Sequence, residues 1–153
     1  MSTTATTTST PTSATPLSSF LARRRVWQVS YLAGLAASVA VEAWGLAARA
    51  AGVPMRAAGL GSQHASPITV GMFAMGTMVV TFWFTFAVVL IARFAKNPGR
   101  TYLRTALPLL VLSLGAPLAA ADTAISTKLT LAVAHLIAAA IIIPAVARRL
   151  RTG

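Results

Sequence analysis

Residues 127–147 read TKLTLAVAHLIAAAIIIPAVA, and this stretch decides the fold. Lys128 and His135 are its only ionisable side chains. A helix needs about 20 mainly apolar residues to cross the hydrocarbon core of a bilayer. Because a backbone in lipid must satisfy its own hydrogen bonds, the stretch predicts a membrane-spanning helix.

Three more apolar stretches precede it and predict spans over about 26–48, 68–94 and 102–121. Pro108 and Pro117 predict kinks in the third span or, at Pro117, its early end. The predicted fold class is all-α, an integral membrane four-helix bundle over residues 23–151. Residues 1–22 are rich in Thr, Ser and Pro and predict a disordered cytoplasmic tail.

The composition agrees with a membrane protein. Hydrophobic residues make up 56% of the chain and charged residues 10%, against about 25% charged residues in soluble domains. The net charge of +11 does not predict nucleic-acid binding, because the basic residues lie at the ends of the apolar stretches. The absence of cysteine excludes disulfides, thiol catalysis and cysteine metal sites.

The basic residues also predict an orientation. Three of the thirteen, Arg49, Arg56 and Lys128, flank one side of the predicted bundle. The ten on the other side are Arg23, Arg24, Arg25, Arg93, Lys96, Arg100, Arg104, Arg148, Arg149 and Arg151. The positive-inside rule then predicts a multi-pass plasma-membrane protein with both termini in the cytoplasm. A cleaved signal peptide, with Arg23–Arg25 before the apolar run and an A-x-A site at 48–50, is the alternative for the first span.

Only two acidic residues occur, Glu42 and Asp122, and Glu42 lies inside an apolar stretch. Glu42 precedes Arg49 by seven residues and His135 follows Lys128 by seven, so both lie roughly 10 Å from the same membrane face. A buried carboxylate needs a partner or a proton. Glu42 and His135 are therefore the candidate intramembrane polar pair, either a proton-responsive or ligand-binding site or a structural hydrogen bond.

Asp122 has two interpretations. It precedes the fourth span, which predicts an N-cap that accepts backbone N–H groups. Alternatively, it forms an outer polar cluster with Arg49, Arg56 and Lys128. The loop over residues 49–67 is long and semi-apolar, which predicts that it lies on the membrane surface or plugs the mouth of the bundle.

Other motifs that carry chemistry are weak. His64 is a lone histidine in a loop, and Met72, Met75 and Met78 are typical of core packing rather than of a copper path. Phosphate-loop, HExxH and GxSxG motifs are absent from the sequence. The sequence therefore predicts no catalytic residue, metal site or cofactor.

Three segments carry a resemblance to a known family. They are AARAAGVPMRAAG at 47–59, PITVGMFAMGT at 67–77 and DTAISTKLTLAVAHLIAAAIIIP at 122–144. They resemble an uncharacterised family of small actinobacterial four-helix membrane proteins, domain of unknown function 6069, over about residues 25–150. The resemblance implies four helices and a plasma-membrane location, but it implies no activity.

Two functions remain as hypotheses. The first is a structural or regulatory membrane subunit that contacts a second copy or another membrane protein within the bilayer, without nucleic acid. The second is a small transporter or permease-like unit that uses Glu42 and His135. Transport predicts a polar cavity that reaches Glu42, whereas a structural role predicts a closed bundle with Glu42 fully paired. An intramembrane enzyme is the weakest alternative.

Overall fold

The computed structural model describes residues 24–59 and 61–152. The described residues form four helices: α1 (Val26–Ala50), α2 (Met72–Phe94), α3 (Pro98–Ala119) and α4 (Ile125–Thr152). Each is long and apolar enough to cross a membrane, so the prediction of four helices of membrane-spanning length and composition is confirmed. The predicted tail over residues 1–22 lies outside the described residues.

The boundaries differ from the predicted ones at the polar ends. The last helix continues to Thr152, because the arginines beyond the apolar run extend it. The second begins at Met72 rather than residue 68, because Ile68 still belongs to the preceding hairpin. The third ends at Ala119, two residues after Pro117 and two residues before the predicted end at residue 121.

The packing of the helices is uneven. Helix α1 packs along both α2 and α4, and α3 packs along α4. Helices α2 and α3 contact each other only over a short length, and α2 and α4 barely touch. The spatial order is therefore α3–α4–α1–α2, and a cleft opens between the two outer helices.

Small and hydroxyl residues set the close approach of α1 and α2. Gly34 faces the side chain of Thr81, and a methyl group at Gly34 would overlap it. The hydroxyls of Ser30 and Thr85 share a buried hydrogen bond of 2.8 Å. Such small-residue packing and interhelical polar contacts are typical of helix association in membranes.

The α1–α2 connection forms a small antiparallel hairpin of β1 (Arg56–Ala58) and β2 (Ala65–Pro67). Its two strands are tied to the α3–α4 connection. The N–H of Ala58 donates to the hydroxyl of Thr123, and the N–H of Ala65 donates to the Asp122 carboxylate, both at 3.1 Å. We call this side of the bundle the hairpin end. The opposite side, with the start of α1 and the end of α4, is the terminal end.

Candidate functional site

Glu42 caps the start of a neighbouring helix. Its Oε1 accepts the N–H of Gly71 at 2.7 Å, and its Oε2 accepts the N–H of Ala74 at 3.1 Å. Gly71 immediately precedes α2, and Ala74 lies in the first turn. The first N–H groups of a helix have no partner within it, and the positive end of the helix dipole favours a negative charge. The carboxylate therefore satisfies both needs from across the α1–α2 interface.

Gly71 explains why the cap comes from another helix. It has φ of 89°, a left-handed conformation that favours glycine. Glycine has no side chain that could accept the N–H groups of the first turn, as Ser, Thr, Asp or Asn would. The sequence therefore lacks a local cap for α2, and Glu42 supplies the missing acceptor.

His135 faces different surroundings. Its Nδ1 lies 2.7 Å from the carbonyl oxygen of Leu131, one turn earlier in α4. Because a carbonyl only accepts, Nδ1 carries the hydrogen in this contact, and Nε2 of the neutral ring is an acceptor. The ring lines the cleft between α2 and α3. Within the described part of the chain, no hydrogen bond or ion pair joins Glu42 to His135.

The structure brings together three of the four residues of the predicted outer polar cluster. Arg56, Asp122 and Lys128 line one depression at the hairpin end. Nη2 of Arg56 donates to the carbonyl of Ala65 at 2.9 Å, while Asp122 accepts the N–H of the same residue. Nζ of Lys128 donates to the carbonyl of Leu118 at 3.1 Å. Of these contacts, the one from Asp122 joins the hairpin to the α3–α4 connection, whereas the Arg56 bond lies within the hairpin and the Lys128 bond joins α4 to the end of α3.

Arg49, the fourth member, does not line that depression. Its Nε and Nη2 are buried and have no hydrogen-bond partner among the described residues. It lies in the last turn of α1, where a cation is favoured by the helix dipole. We have no further physical account of its buried nitrogens.

The prediction that Asp122 is an N-cap is wrong. Helix α4 begins at Ile125, three residues later, and the carboxylate binds Ala65 of the hairpin instead. Asp122 has φ of 43°, and aspartate is one of the few side chains that tolerate this left-handed region. The hairpin to which its side chain binds was not predicted from the sequence.

The prediction of core packing for the methionines also needs correction. Met72 and Met75 are exposed, and Met78 is half-buried. The same side of α2 exposes three aromatic residues that contact one another, Phe82, Trp83 and Phe86. We call these three residues the aromatic cluster. The position of Trp83 at the middle of a predicted span could have indicated an exposed helix face, but the core-packing interpretation did not consider it.

The other feature that sequence reasoning missed is the cleft itself. It has a volume of about 710 Å³ and is lined mainly from α2, α3 and α4, with a few residues of α1 and the hairpin, and Tyr102 and His135 are among its polar residues. Glu42 is not among the lining residues. The predicted alternatives were a closed bundle or a polar cavity reaching Glu42, and the described residues form neither.

These features define a small all-α bundle whose four described helices could each cross a membrane. The chain belongs to the family of unknown function DUF6069, whose model matches residues 21–152. The resemblance to this family in the sequence is thus confirmed. No curated protein and no solved structure matches the chain. The function must therefore be inferred from the geometry.

Proposed function

We propose that this protein is a structural or regulatory membrane subunit that contacts a partner helix through the aromatic cluster of α2. In this proposal the protein lies in the plasma membrane with both termini in the cytoplasm. The orientation is supported by the sequence, in which ten basic residues flank the apolar stretches on the side predicted to hold both termini and three flank them on the other side.

Trp83 is the observation that carries the proposal. It lies eleven residues into the 23-residue helix α2, roughly 16 Å from either end, and is 68% exposed. Tryptophan in membrane proteins is enriched at the two water interfaces, where its indole N–H finds a partner. Among the described residues, the indole N–H of Trp83 has no acceptor. A donor facing lipid at mid-membrane favours a partner helix that supplies the acceptor.

The surroundings of Trp83 fit such a contact. The Phe82 and Trp83 ring centroids lie 5.6 Å apart, and those of Phe82 and Phe86 lie 5.3 Å apart, all edge-to-face. Aromatic residues bury large areas and dominate the energetics of interfaces. The partner is therefore a transmembrane helix with a hydroxyl, amide or free carbonyl at mid-span, and a second copy of this chain is one candidate.

The transporter alternative has less support. A proton-carrying Glu42 would need access to water, whereas both its oxygens are engaged by the start of α2. Proteoliposomes with an enclosed pH-sensitive dye would test this alternative. The structural role predicts no proton flux that depends on Glu42. A flux that Glu42→Gln abolishes in folded protein would favour transport instead.

Site-specific photocrosslinking tests the subunit proposal. A benzophenone amino acid replaces Val79, one turn from Trp83, or as a control Val39 on α1, which is similarly apolar and exposed. The expected result is a discrete protein adduct from position 79 in native membranes and only lipid adducts from position 39. Trp83→Phe should lower the yield of the first adduct several-fold, because it removes the N–H and keeps an aromatic ring.

Two co-expressed copies with different tags identify the partner class. An adduct carrying both tags shows a homo-oligomer, and an adduct with one tag shows a different membrane protein. Equal, lipid-only labelling from positions 79 and 39 would contradict the proposal.

A further inference from the structure

The cleft between α2 and α3 has the size of a small-molecule site. Its volume of about 710 Å³ lies within the roughly 300–1,000 Å³ that is usual for such sites. It exists because α2 and α3 hardly touch, while α1 and α4 close the opposite side. The opening therefore lies between α2 and α3. A ligand dissolved in the bilayer could enter the cleft sideways through it.

The lining selects an uncharged occupant. It is mainly aliphatic and aromatic and contains no Asp, Glu, Lys or Arg among the described residues. A charge brought into such surroundings would be unpaired and strongly disfavoured. The lining also carries polar side chains, among them the hydroxyls of Ser30, Thr77, Thr81 and Ser113 and the imidazole of His135. The hydroxyls of Ser30, Thr77 and Ser113 are hydrogen-bonded within the bundle, whereas Nε2 of His135 has no hydrogen-bond partner in the described structure.

A second polar group lines the same cleft from α3. Tyr102 is fully buried, and its hydroxyl has no hydrogen-bond partner among the described residues. Its ring packs against Phe84, with centroids 5.9 Å apart, and it shares a core with Val146 of α4. Val146 follows His135 by eleven residues, so the two polar groups lie at levels roughly 16 Å apart along the bundle. An acyl chain of a bilayer lipid would satisfy neither of them.

We propose that this cleft binds an uncharged, lipid-soluble alcohol or phenol whose hydroxyl donates to Nε2 of His135. This goes beyond the subunit role, because the aromatic cluster is not part of the cleft lining. The site would exist whether or not the protein has a partner helix.

The test uses a medium-chain alkanol that carries a diazirine in its chain, with its methyl ether as the comparison probe. Both keep the apolar chain and an acceptor oxygen, but only the alcohol can donate to Nε2. Photolabelling of the intact protein in detergent or liposomes should map to the cleft-lining peptides of α2, α3 and α4. The alcohol should label them roughly threefold to tenfold more strongly, as expected for one neutral hydrogen bond.

Two glycines provide a matched pair of variants. Gly76 lies in α2 and lines the cleft, Gly115 lies in α3 outside it, and both have open space where a side chain would begin. Gly76→Leu should fill the cleft and remove most of the labelling, whereas Gly115→Leu should leave it unchanged. His135→Phe should keep labelling by the ether while removing the preference for the alcohol.

Three outcomes would overturn the proposal. The first is equal labelling of the unmodified protein by alcohol and ether, a comparison that depends on no variant. The second is labelling spread over all exposed helix faces, as for an ordinary lipid-facing surface. The third is an alcohol preference that survives His135→Phe, since the hydroxyl would then be recognised elsewhere.

Discussion

At the residue scale, Glu42 shows how a carboxylate becomes stable inside an apolar span. Burying the charge is costly unless it is paired and hydrogen-bonded. The two N–H groups at the start of α2 provide both the hydrogen bonds and the favourable end of a dipole. The arrangement also removes the cost of leaving those N–H groups without acceptors in a membrane.

Substitutions of Glu42 should therefore destabilise the bundle to an extent that depends on how many acceptor oxygens they remove. Glu42→Ala should lower the free energy of unfolding in detergent by about 2 kcal/mol, because two charge-assisted bonds are lost. Glu42→Gln should cost about half of that, because one acceptor oxygen remains. Denaturant titration followed by circular dichroism provides the measurement. An unchanged stability in Glu42→Ala would contradict the capping role.

A double-mutant cycle separates the cap from the Glu42–His135 pair proposed from the sequence. With the two side chains bound to different partners, the effects of Glu42→Gln and His135→Phe on stability should add within about 0.5 kcal/mol. A coupling energy of about 1 kcal/mol or more would show that the two residues contact each other after all.

At the element scale, Gly34 is the described glycine at the α1–α2 interface where an added methyl group would meet α2 most closely. A methyl group at Gly34 would overlap the Thr81 side chain, so the helices would have to separate or Thr81 to move. Gly34→Ala should thus cost about 1–3 kcal/mol. Gly76→Ala is the control, because the space there is open, and it should be neutral or slightly stabilising.

A second substitution tests whether the stability lost in Gly34→Ala comes from the α1–α2 contact. Thr81→Ala removes the two nearest atoms, Cγ2 and Oγ1, and should recover part of the stability lost in Gly34→Ala. If the two substitutions instead destabilise additively, the close contact of α1 and α2 at this point is not the cause.

The hairpin is a second element whose position depends on side chains of the α3–α4 connection, and Asp122 is one of the two that accept its N–H groups. Asp122→Ala should speed hydrogen exchange at the Ala65 amide, because the carboxylate that accepts this N–H is removed. Asp122→Asn should have a smaller effect, because asparagine keeps an acceptor and tolerates positive φ. Equal exchange rates in all three proteins would show that the hairpin is held by other contacts.

At the scale of the whole molecule, the long apolar runs made the number of spans predictable, because crossing lipid permits few alternatives. The equal depths of Glu42 and His135 also follow from helix rise, but depth does not fix which side chains meet. The partners of Glu42 are backbone N–H groups at the start of α2. Because every residue except proline has such a group, residue types do not indicate which of them bind a side chain. The cleft was unpredictable because it depends on which helices pack together.

The chain has no cysteine, so a single introduced cysteine is the one thiol that a reagent can label, and the topology can be measured directly. Single cysteines at Ser62, in the hairpin connection, and at Asn97, between α2 and α3, are both at exposed positions on opposite ends of the bundle. In intact cells, an impermeant thiol reagent should label position 62, and position 97 should react only after lysis. Labelling of both positions from outside, or of position 97 alone, would contradict a four-span bundle with cytoplasmic termini.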